Sequence, residues 1–346
     1  MFDLSEEYSR LATDDRVDWS KLDGSTFLVT GATGLIGSLC VRLLLERNRA
    51  SSAGITVYAL VRDANKAKGV FEGYGEDDGL RFVIQDVVDL SLDFACDYVI
   101  HAACPTASSF FASHPVETAD AIVLGTRGVL QYALETKPRS VVYVSSMEVY
   151  GEGNSQPGLD HLLSESDTGV VNPESVRSCY PEGKRMAENY CVAYASEYDV
   201  PVKTVRLAQT FGPGIPKNDT RLFAMIARCA MSGSDVVLKT TGASTRMYSY
   251  TTDAVIGIMT VLLRGEKGLS YNVANPNTYS SVREMAERVM SRYSPNRGSV
   301  VIDVDPNAPY PPEHHLPLDV SRLESLGWKP LVSLDEMYGN LIDYLD

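Results

Sequence analysis

The chain lacks several things that would place it in a specialised class. Among its 346 residues no apolar run approaches the ~18 needed to span a bilayer, so no transmembrane helix is expected. Its first residues, MFDLSEEYSR, are acidic and polar, without the basic stretch and apolar core of a secretory leader. The six cysteines, Cys40, Cys96, Cys104, Cys179, Cys191 and Cys229, form no CxxC pair and share no zinc-ligand spacing with a histidine pair. Free, mostly buried thiols in a reducing cytoplasm are the expectation. There are five histidines; the adjacent His314 and His315 follow a Pro-rich stretch with no other ligands, so no metal is expected. Positive charge is in deficit, with 31 Lys and Arg against 45 Asp and Glu and a net charge of −14. Such a surface repels phosphate backbones and argues against nucleic-acid binding, although a few arginines can still form a local pocket for a small anion. No internal repeat or low-complexity segment is present.

What is present is length, a 44% hydrophobic composition and a regular alternation of apolar patterns. Residues 1–24 read as a polar N-terminal extension with one helix over Leu4 to Leu11. Strands are predicted at Thr26–Thr30, Ile55–Val61, Leu80–Ile84, Tyr98–His101, Ser140–Ser145 and Val202–Leu207. Helices are predicted at Leu35–Arg47, Val116–Glu135 and Tyr180–Glu197. Alternation of this kind implies βαβ units and a parallel sheet, and unbroken apolar strands such as TFLVT suit a sheet covered on both faces. The expected fold is α/β, a Rossmann-type doubly wound sheet over residues 25–210. Residues 211–346, richer in turns, are expected to be mainly a smaller α/β substrate lobe.

Between the first strand and first helix stands Thr30-Gly31-Ala32-Thr33-Gly34-Leu35-Ile36-Gly37. Small residues here permit a tight turn, close approach of backbone N–H groups to a pyrophosphate, and close helix–strand packing. The helix N-terminus then faces the negative charge. Gly31, Thr33, Gly34, Leu35, Ile36 and Gly37 are therefore expected to bind a dinucleotide. Val61 ends the second strand where an acidic residue would hold the ribose of NAD; Arg62 follows, and a guanidinium suits a 2′-phosphate. That favours NADP, while Asp63 leaves NAD open. Asp86 is placed to meet the adenine or to cap a turn, with Val87 beside it. Ala102 and Ala103 end the fourth strand, where small residues let a cofactor lie close. His101 is expected to be structural.

Tyr180 and Lys184 are four apart, which puts both on one face of a helix. An ammonium beside a phenol favours the phenolate and makes a tyrosine usable as a base. Ser146 ends the fifth strand, at the edge where ligands bind in such sheets, and is expected to hydrogen-bond the substrate. Glu148, two residues on, is either an acid or base in the same cleft or the ion-pair partner of a nearby arginine such as Arg177.

Together these residues resemble the extended short-chain dehydrogenase/reductases of the nucleotide-sugar epimerase/dehydratase group, from about Ser25 to the C-terminus. The run Arg177-Ser178-Cys179-Tyr180-Pro181-Glu182-Gly183-Lys184-Arg185, with Glu148-Val149-Tyr150-Gly151, is similar to UDP-glucuronate decarboxylases. The resemblance implies a retained NAD(P) that oxidises the sugar at C4, a nucleotide-diphosphate sugar as substrate, and a homodimer formed through the helices carrying Val116–Glu135 and Tyr180–Glu197. It also implies substrate contacts at Gln209, Asp219, Arg221 and Arg246, the last suited to pyrophosphate or carboxylate unless a surface ion pair occupies it. Three positions depart from the group. Met147 stands where decarboxylases carry serine and 4,6-dehydratases aspartate, and a thioether cannot donate a proton. Gln209 and Ile122 replace asparagines. Decarboxylation or C4 epimerisation is the expected outcome, with Glu148 and Arg246 setting which. An NADP-linked reductase is the alternative enzyme, and a non-catalytic NAD(P)-sensing regulator the alternative of another class.

Overall fold

The computed structural model describes residues 2–294, 297–305 and 313–346. Its strands are β1 Thr26–Thr30, β2 Thr56–Val61, β3 Leu80–Ile84, β4 Tyr98–His101, β5 Ser140–Ser146, β6 Val202–Leu207, β7 Gln209–Phe211, β8 Val236–Leu238, β9 Thr245–Tyr250, β10 Ser270–Val273, β11 Asn275–Ser281, β12 Val300–Ile302 and β13 His315–Leu316. Its helices are α1 Leu4–Leu11, α2 Leu35–Ser51, α3 Ala64–Val70, α4 Ser108–Ser113, α5 Pro115–Thr136, α6 Cys179–Tyr198, α7 Leu222–Ser232, α8 Thr251–Arg264, α9 Val282–Tyr293, α10 Ser321–Glu324 and α11 Leu334–Leu345.

A seven-stranded sheet runs β3-β2-β1-β4-β5-β6-β10, with every neighbour parallel. The order reverses between β1 and β4, and ligands of such sheets lie outside the strand ends at that point. The two-residue period of β1 sends Phe27 and Val29 to one face, where they pack with Leu39 and Leu43 of α2 and Ile258 of α8. Leu28 goes to the other face, with Val129 and Leu130 of α5 and Ala187 and Cys191 of α6. Covering both faces is what lets these strands be apolar throughout.

The last strand of the sheet, β10, and the helix α8 before it come from within residues 211–346, so that segment is not all lobe. The remainder forms the lobe. There β9 pairs with β7, β11 and β13, and α7, α9 and α11 enclose a second core in which Phe211 and Phe223 stack at 4.8 Å.

The N-terminal extension is less detached than its polarity suggests. Tyr8, Leu11, Ala12, Trp19 and Leu22 are buried in the main core, and α1 packs on α2. Tyr250 Oη donates to Glu7 Oε1 at 2.8 Å, and Arg16 Nη1 lies 3.7 Å from Asp253 Oδ1, so the extension also grips the end of β9 and the start of α8. Among the described residues, no helix is long and apolar enough to cross a membrane and no cluster could hold a metal ion.

Candidate active site

The turn after β1 is built for close approach. Gly31 has φ +65°, and a Cβ there would sit 2.6 Å from Ala103 Cα and 2.7 Å from the Ala102 carbonyl. A Cβ on Gly37 would meet the Gly31 carbonyl oxygen at 2.3 Å. Only glycine fits either position, so the end of β4 and the first turn of α2 close on the loop between them. Gly34 begins α2 with no side-chain cap, leaving the first-turn N–H groups for an anion. A dinucleotide pyrophosphate fits this cradle.

Around it, the predicted cofactor residues divide. Asp63 accepts from Asn65 N at 2.8 Å and Lys66 N at 3.1 Å as the cap of α3. Arg62 is exposed, with Asp86 Oδ2 at 3.7 Å. Asp86 also caps the turn at Val87–Asp89 by accepting from Val88 N at 3.1 Å. The side chain of Val87 is buried and packs against Gly125 of α5, so any cofactor contact by Val87 is through its backbone. His101 is structural: its ring nitrogens lie 2.7 Å from Thr30 Oγ1 and 3.0 Å from Thr126 Oγ1. Burial, reinforced by Lys184, pushes its pKa down to about 3.

Three residues converge at the C-terminal end of β5. Ser146 Oγ accepts from Glu148 N at 3.2 Å, which shapes the turn Met147–Tyr150. Tyr180 and Lys184 arrive from the first turns of α6, both buried. Lys184 donates to the Val144 carbonyl at 2.8 Å, and its Nζ lies 5.8 Å from the Tyr180 ring centroid. Burial holds the Tyr180 phenol well above its ordinary pKa, with Cys104 and Glu148 adding to the rise; the Ser146 hydroxyl and Arg177 pull it back. Burial also lowers the pKa of Lys184. Phe111, which carried no signal in the sequence, stacks on the Tyr180 ring at 4.4 Å.

Glu148 takes the ion-pair option. Arg177 grips it with two bonds of 2.8 and 2.9 Å, each side chain remaining about a quarter to a third exposed. The turn carrying Glu148 is pinned by Arg185, which donates to the Val149 carbonyl at 2.8 Å and the Gly169 carbonyl at 2.6 Å. Arg206 supports it from below, bonding Tyr150 Oη at 2.9 Å and forking onto Glu188. Met147 is buried in the main core.

On the lobe side, Gln209 lies in register with Tyr248 of β9, and Arg246 sits two residues earlier on that strand. Bridges from Gly153 and Asn154 to His315 stitch β13 to the loop after the Ser146 turn, while His315 and Leu316 pair with Thr245 and Arg246. Arg246 thereby stands on the strand next to the one bridged to that loop. Its Nη2 lies 2.9 Å from His314 Nε2, and its buried Nε–H has no hydrogen-bond partner among the described residues. No ion pair occupies it among those residues. Asp219 and Arg221 are engaged with each other, Arg221 Nε bonding both carboxylate oxygens at 3.1 and 3.0 Å. Burial alone would raise the Asp219 pKa, but Arg221 brings it below the usual carboxylate range. This pair is outside hydrogen-bond reach of Ser146, Tyr180 and Lys184. Asp253, at the start of α8, accepts from Leu331 N and Val332 N at 3.0 and 3.1 Å.

A model of the NAD dependent epimerase/dehydratase family matches residues 27–274, and the chain belongs to that family. It is an enzyme of the extended short-chain dehydrogenase/reductase group. Among its relatives is UDP-glucuronic acid decarboxylase 6 of Arabidopsis thaliana, 32% identical over 310 residues, which cover 89% of this chain and 85% of that protein. UDP-glucuronic acid decarboxylase 1 of Xenopus tropicalis is 29% identical over 327 residues, covering 94% and 73%. Among solved structures, the dTDP-glucose 4,6-dehydratase of Streptomyces venezuelae with NAD bound superposes with a TM-score of 0.75 at 25% identity, covering 92% of this chain and 96% of that one. The UDP-glucose 4-epimerase of Thermotoga maritima superposes with a TM-score of 0.74 at 20% identity, covering 92% and 98%.

Proposed function

We propose that the chain oxidises C4 of a nucleotide-linked glucuronate and releases its carboxyl group as carbon dioxide. The observation that carries this reading is the placement of Arg246. A buried guanidinium N–H without an acceptor is costly unless an anion arrives, and this one stands on β9 beside β13, which is bridged to the loop leaving the Ser146 turn. A carboxylate or diphosphate is the ligand such a fork accepts.

The dinucleotide supplies one thing when bound, a hydride acceptor beside C4 that can return what it took. The remaining work falls to side chains. Tyr180 takes the proton of the C4 hydroxyl, and Lys184, held on the same helix face, favours the phenolate electrostatically. Ser146 holds the C4 oxygen in line. A ketone at C4 stands β to the C6 carboxylate, so the carbon–carbon bond can break with its electron pair delocalised onto the C4 oxygen. Tyr180 and Ser146 are placed to stabilise that enolate by hydrogen bonding. Reprotonation at C5 consumes one proton from solvent, and Glu148, once it has taken up that proton, is the carboxyl group proposed to deliver it. Arg177 must release it for that step.

Met147 favours a second reading, C4 epimerisation, which needs only hydride removal and return and no additional proton donor at that position. For the cofactor we propose NAD, since the Asp86 carboxylate beside Arg62 works against a 2′-phosphate; the NADP preference expected from Arg62 is the competing choice. Proton NMR of UDP-glucuronate and UDP-glucose after incubation, with mass analysis of the dinucleotide extracted from the protein, separates these readings. A pentose product from the first sugar supports decarboxylation, and a galacto product from the second supports epimerisation. Both sugars unchanged would contradict the two together.

A further inference from the structure

Lys184 is a buried cation with little to balance it. Its residue is 3% exposed, and its one hydrogen-bond acceptor among the described residues is the Val144 carbonyl at 2.8 Å. Among the described residues it forms no ion pair. The ionisable groups around it offer little. His101 on β4 is neutral; Cys104 beyond β4 and Cys191 on α6 are thiols whose pKa values burial raises; Tyr180 is a neutral phenol in this state. Glu188 on α6 is committed to Arg206, whose Nη2 lies 2.7 Å away.

What Lys184 does have is an aromatic face. Its Nζ lies 4.7 Å from the centroid of Tyr143, nearer than the 5.8 Å to Tyr180 and well inside the ~6 Å over which a ring quadrupole attracts a cation. Tyr143 lies in the middle of β5, in register with His101 of β4 and Thr204 of β6, and is 2% exposed. Its hydroxyl has no hydrogen-bond partner among the described residues. The phenolic oxygen therefore gives this position nothing that explains an aromatic residue there, and the ring face remains.

We propose that Tyr143 is a positioning residue for proton transfer: its ring face holds Lys184 as an ammonium over β5, and through Lys184 governs the protonation of Tyr180. This rests on the reading of Tyr180 and Lys184 as the proton-transfer pair. Truncating Tyr143 would open a core cavity, so the test keeps its shape. Phenylalanine, then phenylalanines bearing increasing numbers of fluorine atoms, are placed at position 143 of the full chain. Fluorine withdraws the negative face of the ring while leaving its outline nearly unchanged.

The Lys184 titration is read by NMR from lysine labelled with carbon-13 at Cε, with Lys184→Arg identifying the resonance. Tyr143→Phe leaves the titration in place, and successive fluorination lowers it by up to about one pH unit. A titration unmoved across the series overturns the proposal. No substrate is needed for that measurement, so it stands apart from the choice of sugar. The acid limb of turnover on whichever nucleotide sugar is converted then tests the link to Tyr180. A limb that climbs with fluorination supports it. A limb that stays fixed while Lys184 shifts overturns the link, and with it the role of Lys184 in proton transfer.

Discussion

Both carboxylate oxygens of Glu148 are held by one guanidinium, Arg177 Nη2 at 2.8 Å from Oε1 and Nη1 at 2.9 Å from Oε2. Arg177 stands three residues before Tyr180, so the pair ties the turn after β5 to the start of α6. Since both side chains are partly open to solvent, its contribution to stability is about 1 kcal/mol at most. The larger effect expected is on chemistry. Glu148→Gln should lower kcat by roughly 10²–10⁴-fold, the range for loss of a general acid or base, with melting temperature nearly unchanged. Arg177→Met frees the carboxylate and tests whether the pair serves structure alone. Equal, small losses of stability in both variants with kcat intact would remove Glu148 from the chemistry.

Tyr180→Phe should abolish turnover while the protein still carries its dinucleotide. The buried phenol is neutral in the ligand-free chain, so an oxidised, positively charged nicotinamide should bind with proton release. Calorimetry in two buffers of different ionisation enthalpy reads that release, which should vanish in Tyr180→Phe.

Arg246→Ala should raise KM for the nucleotide sugar by roughly 10–100-fold, since a charged hydrogen-bonded contact is worth about 1.5–3 kcal/mol. The bound dinucleotide should be unaffected. Arg246→Lys should recover little, because a point charge cannot reproduce the fork. Equal losses of dinucleotide and substrate affinity would place Arg246 in the fold instead of the substrate site.

The N-terminal extension should respond to pH through Glu7. Burial pushes its carboxyl up to about 7, opposed by the Tyr250 hydrogen bond, with Asp253 adding to the rise. Its second oxygen is buried without a partner among the described residues. A carboxyl whose folded pKa lies above its unfolded value contributes fully below about 4.5, and that contribution is lost as pH rises to about 7. Above that the ionised form carries a constant cost, of order 1–3 kcal/mol. Glu7→Gln should therefore melt higher than the parent above pH 7 and lose the dependence across that window. Parallel melting curves for the two proteins from pH 5 to 8 would contradict this.

A homodimer through α5 and α6 is also proposed. Val116 and Leu124 on α5 and Met186 and Val192 on α6 are large apolar side chains left exposed. Sedimentation should give twice the chain mass, and Val192→Glu should shift the protein toward the monomer. A monomeric parent at micromolar concentration would contradict it.

How much of this was legible depended on distance along the chain. The Gly31–Gly37 turn and the Tyr180–Lys184 spacing are local geometries, and local pattern placed β1, β3, β4, β6 and α1 with the bounds they have. Strand β10 was not expected. Its four residues carry no strong pattern, and it is a strand because the open edge of β6 receives it. Arg177 was only one of the candidate partners for Glu148, since nothing in the spacing fixes a contact 29 residues apart. The burial of Tyr8 and Trp19 was hidden by the charged residues around them. The pairing of Arg221 with Asp219 is a local contact, two residues apart, that the family resemblance did not supply.

Tyr180 is proposed to begin a C4 oxidation that ends in loss of the carboxyl group. The most direct test is the mass spectrum of UDP-glucuronate after incubation with the parent protein and with Tyr180→Phe. A product lighter by one carbon dioxide is expected with the parent, and unchanged sugar with the variant. Unchanged mass with both, from protein carrying its dinucleotide, would contradict it.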